Sequence, residues 1–257
     1  STNCAEDINK DYKAHYGAVG DSRLVLRQMI AEVKKQLGDN GQKDVGKVSD
    51  EISQVRGQFM KEWGPKLDSN EIPISPYRVI GELIKAVDLT NTIITHDSGF
   101  PRDQLVPFWP ALSPRSYIGW GKSTQLGYGL GLVMGAKMAA PDKTVVNVMG
   151  DAAFGMCGLD IETAVRSNIG ICTVILNNSV MTHYSSHMPF ASYQYGSNKL
   201  SGEYAKVADG LGAYAQKITS PDHLAPAIQS AVENASKGQP SVIEVITKEE
   251  PSIPKFW

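Results

Sequence analysis

Asp151 and Asn178 are the residues of this sequence whose types and spacing point most directly to chemistry. Each stands just past the end of an apolar, β-branched run, and 27 positions separate them. One run, Thr144–Val148, ends at Met149-Gly150-Asp151, and the other, Ile171–Leu176, ends at Asn177-Asn178, with a helical stretch between. In a parallel sheet, ligands bind past the C-terminal ends of the strands. If these runs are neighbouring strands, the two oxygen-bearing side chains converge there. A carboxylate, an amide oxygen and one backbone carbonyl suit Mg²⁺, a hard ion that takes its remaining ligands from phosphate and water. The N–H groups of Ala152 and Ala153 open the segment leading into a helix, where anions are favoured. A Gly-Asp or Asn-Asn after a strand is by itself an ordinary turn. The pair at this spacing, in a strand–helix–strand context, is what points to a metal and phosphate site.

Two further segments carry candidate chemistry. The short run Thr92–Thr95 leads to Asp97-Ser98-Gly99, where a glycine lets backbone approach an anion closely, and Phe100-Pro101 follow. After Asn178 come His183, Tyr184 and His187, and histidine suits proton transfer near neutrality. A histidine-rich surface loop is the alternative. Gly127-Tyr128-Gly129-Leu130-Gly131 does not match G-x-G-x-x-G, so a nucleotide-dependent dehydrogenase is disfavoured.

The elements that must position these residues follow from periodicity and punctuation. Asp21–Leu37 has apolar residues at helical spacing, with Asp21 as N-cap. Gly38–Gly46 is a loop by composition, and Ser49–Trp63 reads as a second, largely polar helix. After the linker Gly64–Ile74, a new unit opens with Pro76 at the first position of a helix over Pro76–Val87. Strands are expected at Thr92–Thr95, Lys143–Met149, Ile169–Leu176, Ala215–Ile218 and Ser241–Thr247. Helices are expected at Gly121–Ala140 (rich in small residues and buried), Leu159–Ser167, Tyr204–Gly212 and Pro221–Lys237. Alternating strands and helices predict an α/β fold, a parallel sheet with helices on both faces, preceded by a helical connector. The domain boundary is expected at 70/71.

Gly150-Asp151-Ala152 with Asn177-Asn178 resembles the G-D-G…N-N signature of thiamine-diphosphate-dependent enzymes. The Ala at the third position resembles the acetolactate synthase group. Ala152-Ala153-Phe154-Gly155 with Glu162-Thr163 is similar to 2-hydroxyacyl-CoA lyases and oxalyl-CoA decarboxylases. Pro73-Ile74-Ser75-Pro76 through Asp97-Ser98-Gly99 resembles the entry to the family's diphosphate-binding domain. Gly119–Gly135 resembles the helix beneath the cofactor, and Tyr12-Lys13 through Asp21 resembles the end of the family's middle domain. The resemblance implies thiamine diphosphate and Mg²⁺ as cofactors, with Asp151, Asn178 and the Val180 carbonyl on the metal. Ser98, Gly99, Gly150, Ala152, Ala153 and Asn178 would lie along the diphosphate. Leu126 would be the apolar wedge that bends the cofactor, and the Thr124 carbonyl would accept from its 4′-amino group. His183 and Tyr184 fall where related decarboxylases place substrate-facing side chains.

The activity implied is C–C bond cleavage or formation on 2-oxo acids, as decarboxylase, carboligase or lyase. Acetolactate synthase is the nearest type, with a 2-hydroxyacyl-CoA lyase or oxalyl-CoA decarboxylase as the alternative. A non-catalytic cofactor-binding module is the alternative of another class, and intact Asp151 and Asn178 speak against it. The substrate is accordingly expected to be a small 2-oxo acid or an acyl-CoA. The chain starts within what resembles the middle domain and lacks an initiator Met. An N-terminal pyrimidine-binding domain on another chain or fragment is therefore expected to supply the activating glutamate, in a dimer or tetramer. Glu82, Glu162 and Glu203 sit at helix positions and are expected to be solvated or capping. The tail Lys248–Trp257 is a candidate lid.

Composition excludes other classes. With 257 residues and 42% hydrophobic content a sizeable core is expected, and 25 basic against 27 acidic residues leave a net charge of −2. No basic stripe points to nucleic acid. No run of 18 apolar residues predicts a membrane helix, and the polar start is not a signal peptide. Three cysteines without metal-type spacing, Cys172 among them in an apolar run, suit a reducing cytoplasm.

Overall fold

The computed structural model describes residues 1–38, 41, 46–121 and 125–254. The chain divides into two compact units, Ser1–Phe59 and Met60–Trp257. In the first unit, helix α1 (Ser22–Leu37) starts where Asp21 accepts the Leu24 N–H at 3.0 Å, as its position before the periodic run predicts. Helix α2 (Gly46–Trp63) follows. Neither helix buries a residue. Leu26, Ile30, Val33 and Leu37 recur at helical spacing on α1, and each is about half exposed.

The second unit runs in order α3 (Pro76–Ala86), β1 (Thr92–His96), α4 (Phe100–Leu105), β2 (Tyr117–Ile118), α5 (Tyr128–Ala139), β3 (Thr144–Gly150), α6 (Asp151–Cys157), α7 (Ile161–Arg166), β4 (Cys172–Asn177), α8 (Tyr184–His187), α9 (Pro189–Tyr195), α10 (Tyr204–Gly210), β5 (Tyr214–Ile218), α11 (Leu224–Ser236) and β6 (Ser241–Ile246). The expected boundary at 70/71 falls inside this unit. The cause is Arg78 of α3, which reaches back to the Ser69 carbonyl at 3.0 Å and to Asn70 Oδ1 at 2.6 Å.

Among the described residues six strands form one parallel sheet, in the order β2-β1-β3-β4-β6-β5. Alternate residues face opposite sides. Ile93, Val145, Met149, Ile175 and Val242 join one cluster with Leu130 and Val133 of α5, Phe154 of α6 and Ala208 of α10. The other side, with Val146, Val148, Val174, Ile243 and Val245, is covered by α4 and α11, and α3 packs on both of these helices. Burial on both faces explains why these strands read as unbroken apolar runs. Cys172 is fully buried as expected, and burial pushes its thiol up to about 12.

The helix expected over Gly121–Ala140 forms only from Tyr128. Gly127 before it has φ 91, a left-handed conformation that the helix cannot include. Only Gly129, Leu130, Val133 and Ala136 of that helix are buried, so it is covered on one side rather than all round. Glu82 is buried rather than solvated, because Arg78 at 3.0 Å and Lys85 at 3.2 Å pair with its carboxylate.

The sheet order places the site. β1 lies between β2 and β3, so the chain leaves it to one side and then continues on the other. A crevice opens at the C-terminal ends of strands at such a switch point. Ile175 of β4, at 0% exposure, belongs to the apolar cluster on one face of this sheet. Ile175→Ala is expected to cost about 2–5 kcal/mol, seen as a lower urea midpoint with unchanged slope. A midpoint equal to the parent's would show that the core closes elsewhere.

Candidate active site

β1, β3 and β4 are adjacent, and Gly150 stands opposite Leu176 in the β3–β4 register. Asp151 and Asn178 therefore emerge side by side. They share a cavity of about 260 Å³ whose wall also includes Ser98, Gly99, Leu126, Gly150, Ala152, Ala153, Val180 and Tyr184.

Asp151 opens α6 and is 4% exposed. Its Oδ1 accepts the Ala152 N–H at 2.9 Å, and its Oδ2 accepts the Ser179 N–H at 2.8 Å. Burial pushes the carboxyl above the ordinary aspartate value, against the two N–H bonds that favour the anion. Among the described residues no lysine or arginine pairs with it. Asn178 is held at both ends of its amide: Oδ1 accepts the Val180 N–H at 3.1 Å and Nδ2 donates to Thr182 Oγ1 at 2.9 Å. Val180 faces Lys199 in an antiparallel bridge. The ladder bonds run instead from Met181 to the Asn198 carbonyl and from Leu200 to the Ser179 carbonyl. The Val180 carbonyl is left out of that pairing.

The β1 turn supplies the opposite wall. Gly99 has φ 83 and ψ −153, a conformation reserved for glycine, and nothing lies within 4 Å of where a Cβ would stand. Asp97, at 0% exposure, organises this side. Its carboxylate accepts N–H bonds from Ser98 at 2.8 Å, Gly127 at 3.0 Å and Gly129 at 2.8 Å. One side chain thus ties the Gly99 turn to the start of α5, and with it Leu126. A Cβ on Gly129 would come within 2.8 Å of that carboxylate, so only glycine admits the contact.

Not every expected residue reaches the cavity. His183 does not line it: with φ 69 its ring turns onto Phe100, centroids 5.3 Å apart, and its N–H donates to Glu249 at 3.2 Å. Thr124 lies outside the described residues. The tail is a packed wall: Lys248 and Glu250 line the cavity, and Tyr77 donates to the Ser252 carbonyl at 2.6 Å. Trp257, the expected aromatic end, lies outside the described residues. Burial pushes the Glu250 carboxyl up, but the Ser252 N–H, Lys248 and Lys66 outweigh it and hold it below the ordinary glutamate range. Asp97 and Glu244 have structural parts in the site that sequence reading did not assign. The available signals were an acidic residue before a strand-end glycine and a charge inside an apolar strand.

The residues fit a hard cation beside an anion. Among the described residues no three His, Cys, Asp or Glu side chains cluster as metal ligands. The oxygen set is one carboxylate, one amide and one carbonyl. It leaves coordination positions for phosphate and water.

Residues 97–245, more than half of the chain, match the family model described as thiamine pyrophosphate enzyme, C-terminal TPP binding domain. The chain belongs to this family. It is 27% identical to a probable acetolactate synthase large subunit of Methanococcus aeolicus, over 88% of this chain and 39% of that protein. It is 28% identical to the mitochondrial acetolactate synthase catalytic subunit of Aspergillus candidus, over 97% of this chain and 35% of that protein. It is 25% identical to a 2-hydroxyacyl-CoA lyase of Arabidopsis thaliana, over 91% of this chain and 42% of that protein. The chain thus spans about two fifths of the length of the curated relatives it matches. The fold is shared with a thiamine diphosphate-dependent 4-hydroxybenzoylformate decarboxylase from Rhodococcus jostii RHA1, with a TM-score of 0.60 and 22% identity over 72% of this chain and 34% of that one. No helix among the described residues is long and apolar enough to cross a membrane.

Asp97→Ala removes the acceptor of three N–H groups, those of Ser98 and Gly129 buried and that of Gly127 half-buried. A loss of about 3 kcal/mol or more is expected in urea unfolding. Stability equal to the parent's would mean that water replaces the carboxylate.

Proposed function

We propose that this chain binds thiamine diphosphate through Mg²⁺ and serves C–C bond cleavage or formation on 2-oxo acids, in an enzyme of the acetolactate synthase type. The observation that carries this reading is the buried Asp151 carboxylate, with no lysine or arginine partner among the described residues, beside Asn178 on a cavity walled by Gly99. A buried charge is costly unless it is paired or coordinates a metal. Asp151, Asn178 and the Val180 carbonyl would hold the ion. The backbone at Ser98, Gly99 and Gly150, with the Ala152 and Ala153 amides and Asn178, would meet the diphosphate.

When bound, thiamine diphosphate supplies an electron sink for bonds next to a carbonyl. The protein's part is placement. Leu126, at the mouth of α5 and tied through Gly127 to Asp97, sets the bend of the cofactor. Tyr184 faces the space left for substrate, and His183, braced on Phe100, stands behind it as a proton carrier. Glu250 is the one glutamate lining the cavity among the described residues, and its low carboxyl offers no proton near neutrality. The activating glutamate is therefore assigned to a pyrimidine-binding domain on another chain or segment, within a dimer or tetramer. The similarity to the Arabidopsis protein and the Ala-Phe-Gly…Glu-Thr run support an acyl-CoA lyase as the second reading. The three free cysteines support a reducing, cytoplasmic setting.

Asp151→Ala and Asn178→Ala are each expected to abolish Mg²⁺-dependent binding of thiamine diphosphate, read by titration calorimetry, with the unfolding transition retained. Wild-type affinity in either variant refutes the metal assignment. The proton competes with the ion at Asp151, so affinity falls as pH drops. Because burial raises this carboxyl, the loss begins at higher pH than for an ordinary aspartate. In the assembled enzyme, Leu126→Ala is expected to lower kcat by about tenfold or more while cofactor affinity changes little. Unchanged kcat would leave Leu126 a core residue only.

A further inference from the structure

Glu244 lies in the middle of β6 at 0% exposure, a charged residue in a strand otherwise built from Ser241, Val242, Ile243, Val245 and Ile246. It stands opposite Ile175 in the β4–β6 register, which makes Asn177 its diagonal neighbour on the same face of the sheet. Its two oxygens are both engaged. One accepts from Asn177 Nδ2 at 2.7 Å and the other from the Ala205 N–H, in the first turn of α10, at 2.8 Å. Asn177 then turns its Oδ1 to Ser179, accepting the N–H at 3.0 Å and the hydroxyl at 3.1 Å. The Ser179 N–H is shared with Asp151 Oδ2 at 2.8 Å. Ser179 itself has φ 60, a conformation that a side chain disfavours and that its surroundings must hold.

The donors and acceptors allow one arrangement. A carboxylate only accepts and a backbone N–H only donates. The Asn177 amide must therefore present NH₂ to Glu244 and oxygen to Ser179. With Glu244 gone, the Ser179 N–H is left as the group that selects this orientation of the amide, at the turn carrying Asn178 and Val180.

We propose that Glu244 is a positioning residue of the metal site: through the orientation of Asn177 and the Ser179 turn it sets the geometry of the Asp151, Asn178 and Val180 oxygens. This rests on the reading of those oxygens as the Mg²⁺ ligands. Partners behind metal ligands typically change affinity by about 10–100-fold when altered.

The test is calorimetric titration of Mg²⁺ into the full chain at saturating thiamine diphosphate. Glu244→Gln offers one acceptor where two N–H donors need one each, and a drop in Mg²⁺ affinity of about tenfold or more is expected. Asn177→Asp alone sets two carboxylates face to face and weakens binding too. Combining Glu244→Gln with Asn177→Asp exchanges donor and acceptor. The amide now at position 244 donates to the carboxylate now at position 177 and accepts from Ala205, while that carboxylate still accepts from Ser179. Recovery in the double variant supports positioning, since a generic loss of stability would only accumulate. Glu244→Gln binding Mg²⁺ as the parent does overturns the inference, and so does a double variant weaker than both single ones. Where Glu244→Gln does not fold, Asn177→Asp against the double variant makes the same comparison. A parent chain that binds no Mg²⁺ with thiamine diphosphate fails one step earlier and removes the metal reading itself.

Discussion

The buried carboxylate of Asp151, which no lysine or arginine meets among the described residues, is the constraint around which this structure is arranged. An ionised group at 4% exposure is unfavourable without a partner, and among the described residues backbone N–H groups, those of Ala152 and Ser179 among them, meet it and no lysine or arginine does. Those bonds stabilise the anion without neutralising it. What the fold does instead is keep the carboxylate next to an amide oxygen and a backbone carbonyl, on a cavity that an outside cation can enter.

Rigid framing makes this tolerable. The three turns of the site leave three adjacent strands, the middle of the sheet, where both faces are covered and every strand has two neighbours. Two of these turns are fixed by buried polar groups: Asp97 gathers the β1 turn and the start of α5, and Asn177, held by Glu244 of the neighbouring strand, shapes the turn after β4. A site of this kind is preorganised by buried polar networks, which are worth most where each member is satisfied.

Much of this was readable in the sequence, for physical reasons. Strands buried on both faces must be apolar along their length, so β3 and β4 stood out, and with them the residues at their ends. The family resemblance at Gly150-Asp151-Ala152 and Asn177-Asn178 is carried by backbone turns and an oxygen-bearing side-chain pair, both strongly tied to residue type. Other features depend on tertiary contacts. Whether His183 points at the cavity turns on one left-handed residue and a ring contact with Phe100, neither visible in spacing. The small residues of Gly121–Ala140 suggested one long helix, but the left-handed Gly127 starts it later. Glu82 looked solvated because helix surfaces usually are; two basic neighbours one turn away let it go inside. Glu244 was legible in principle, since a charge inside an apolar strand needs a buried partner, yet the partner sits 67 residues away in sequence.

Helices α1 and α2 stand under the opposite regime. With no residue buried, their backbone hydrogen bonds rest on propensity, the Asp21 cap and side-chain pairs along the helix surface. Helices of 16 and 18 residues are near the length at which an isolated helix is marginal in water. Their amides therefore open by fraying, one turn at a time, while those of β3 and β4 open only when the sheet comes apart. The chain thus carries two clocks for hydrogen exchange, a fast one set by local helix–coil balance and a slow one set by the sheet that bears the Asp151 and Asn178 turns.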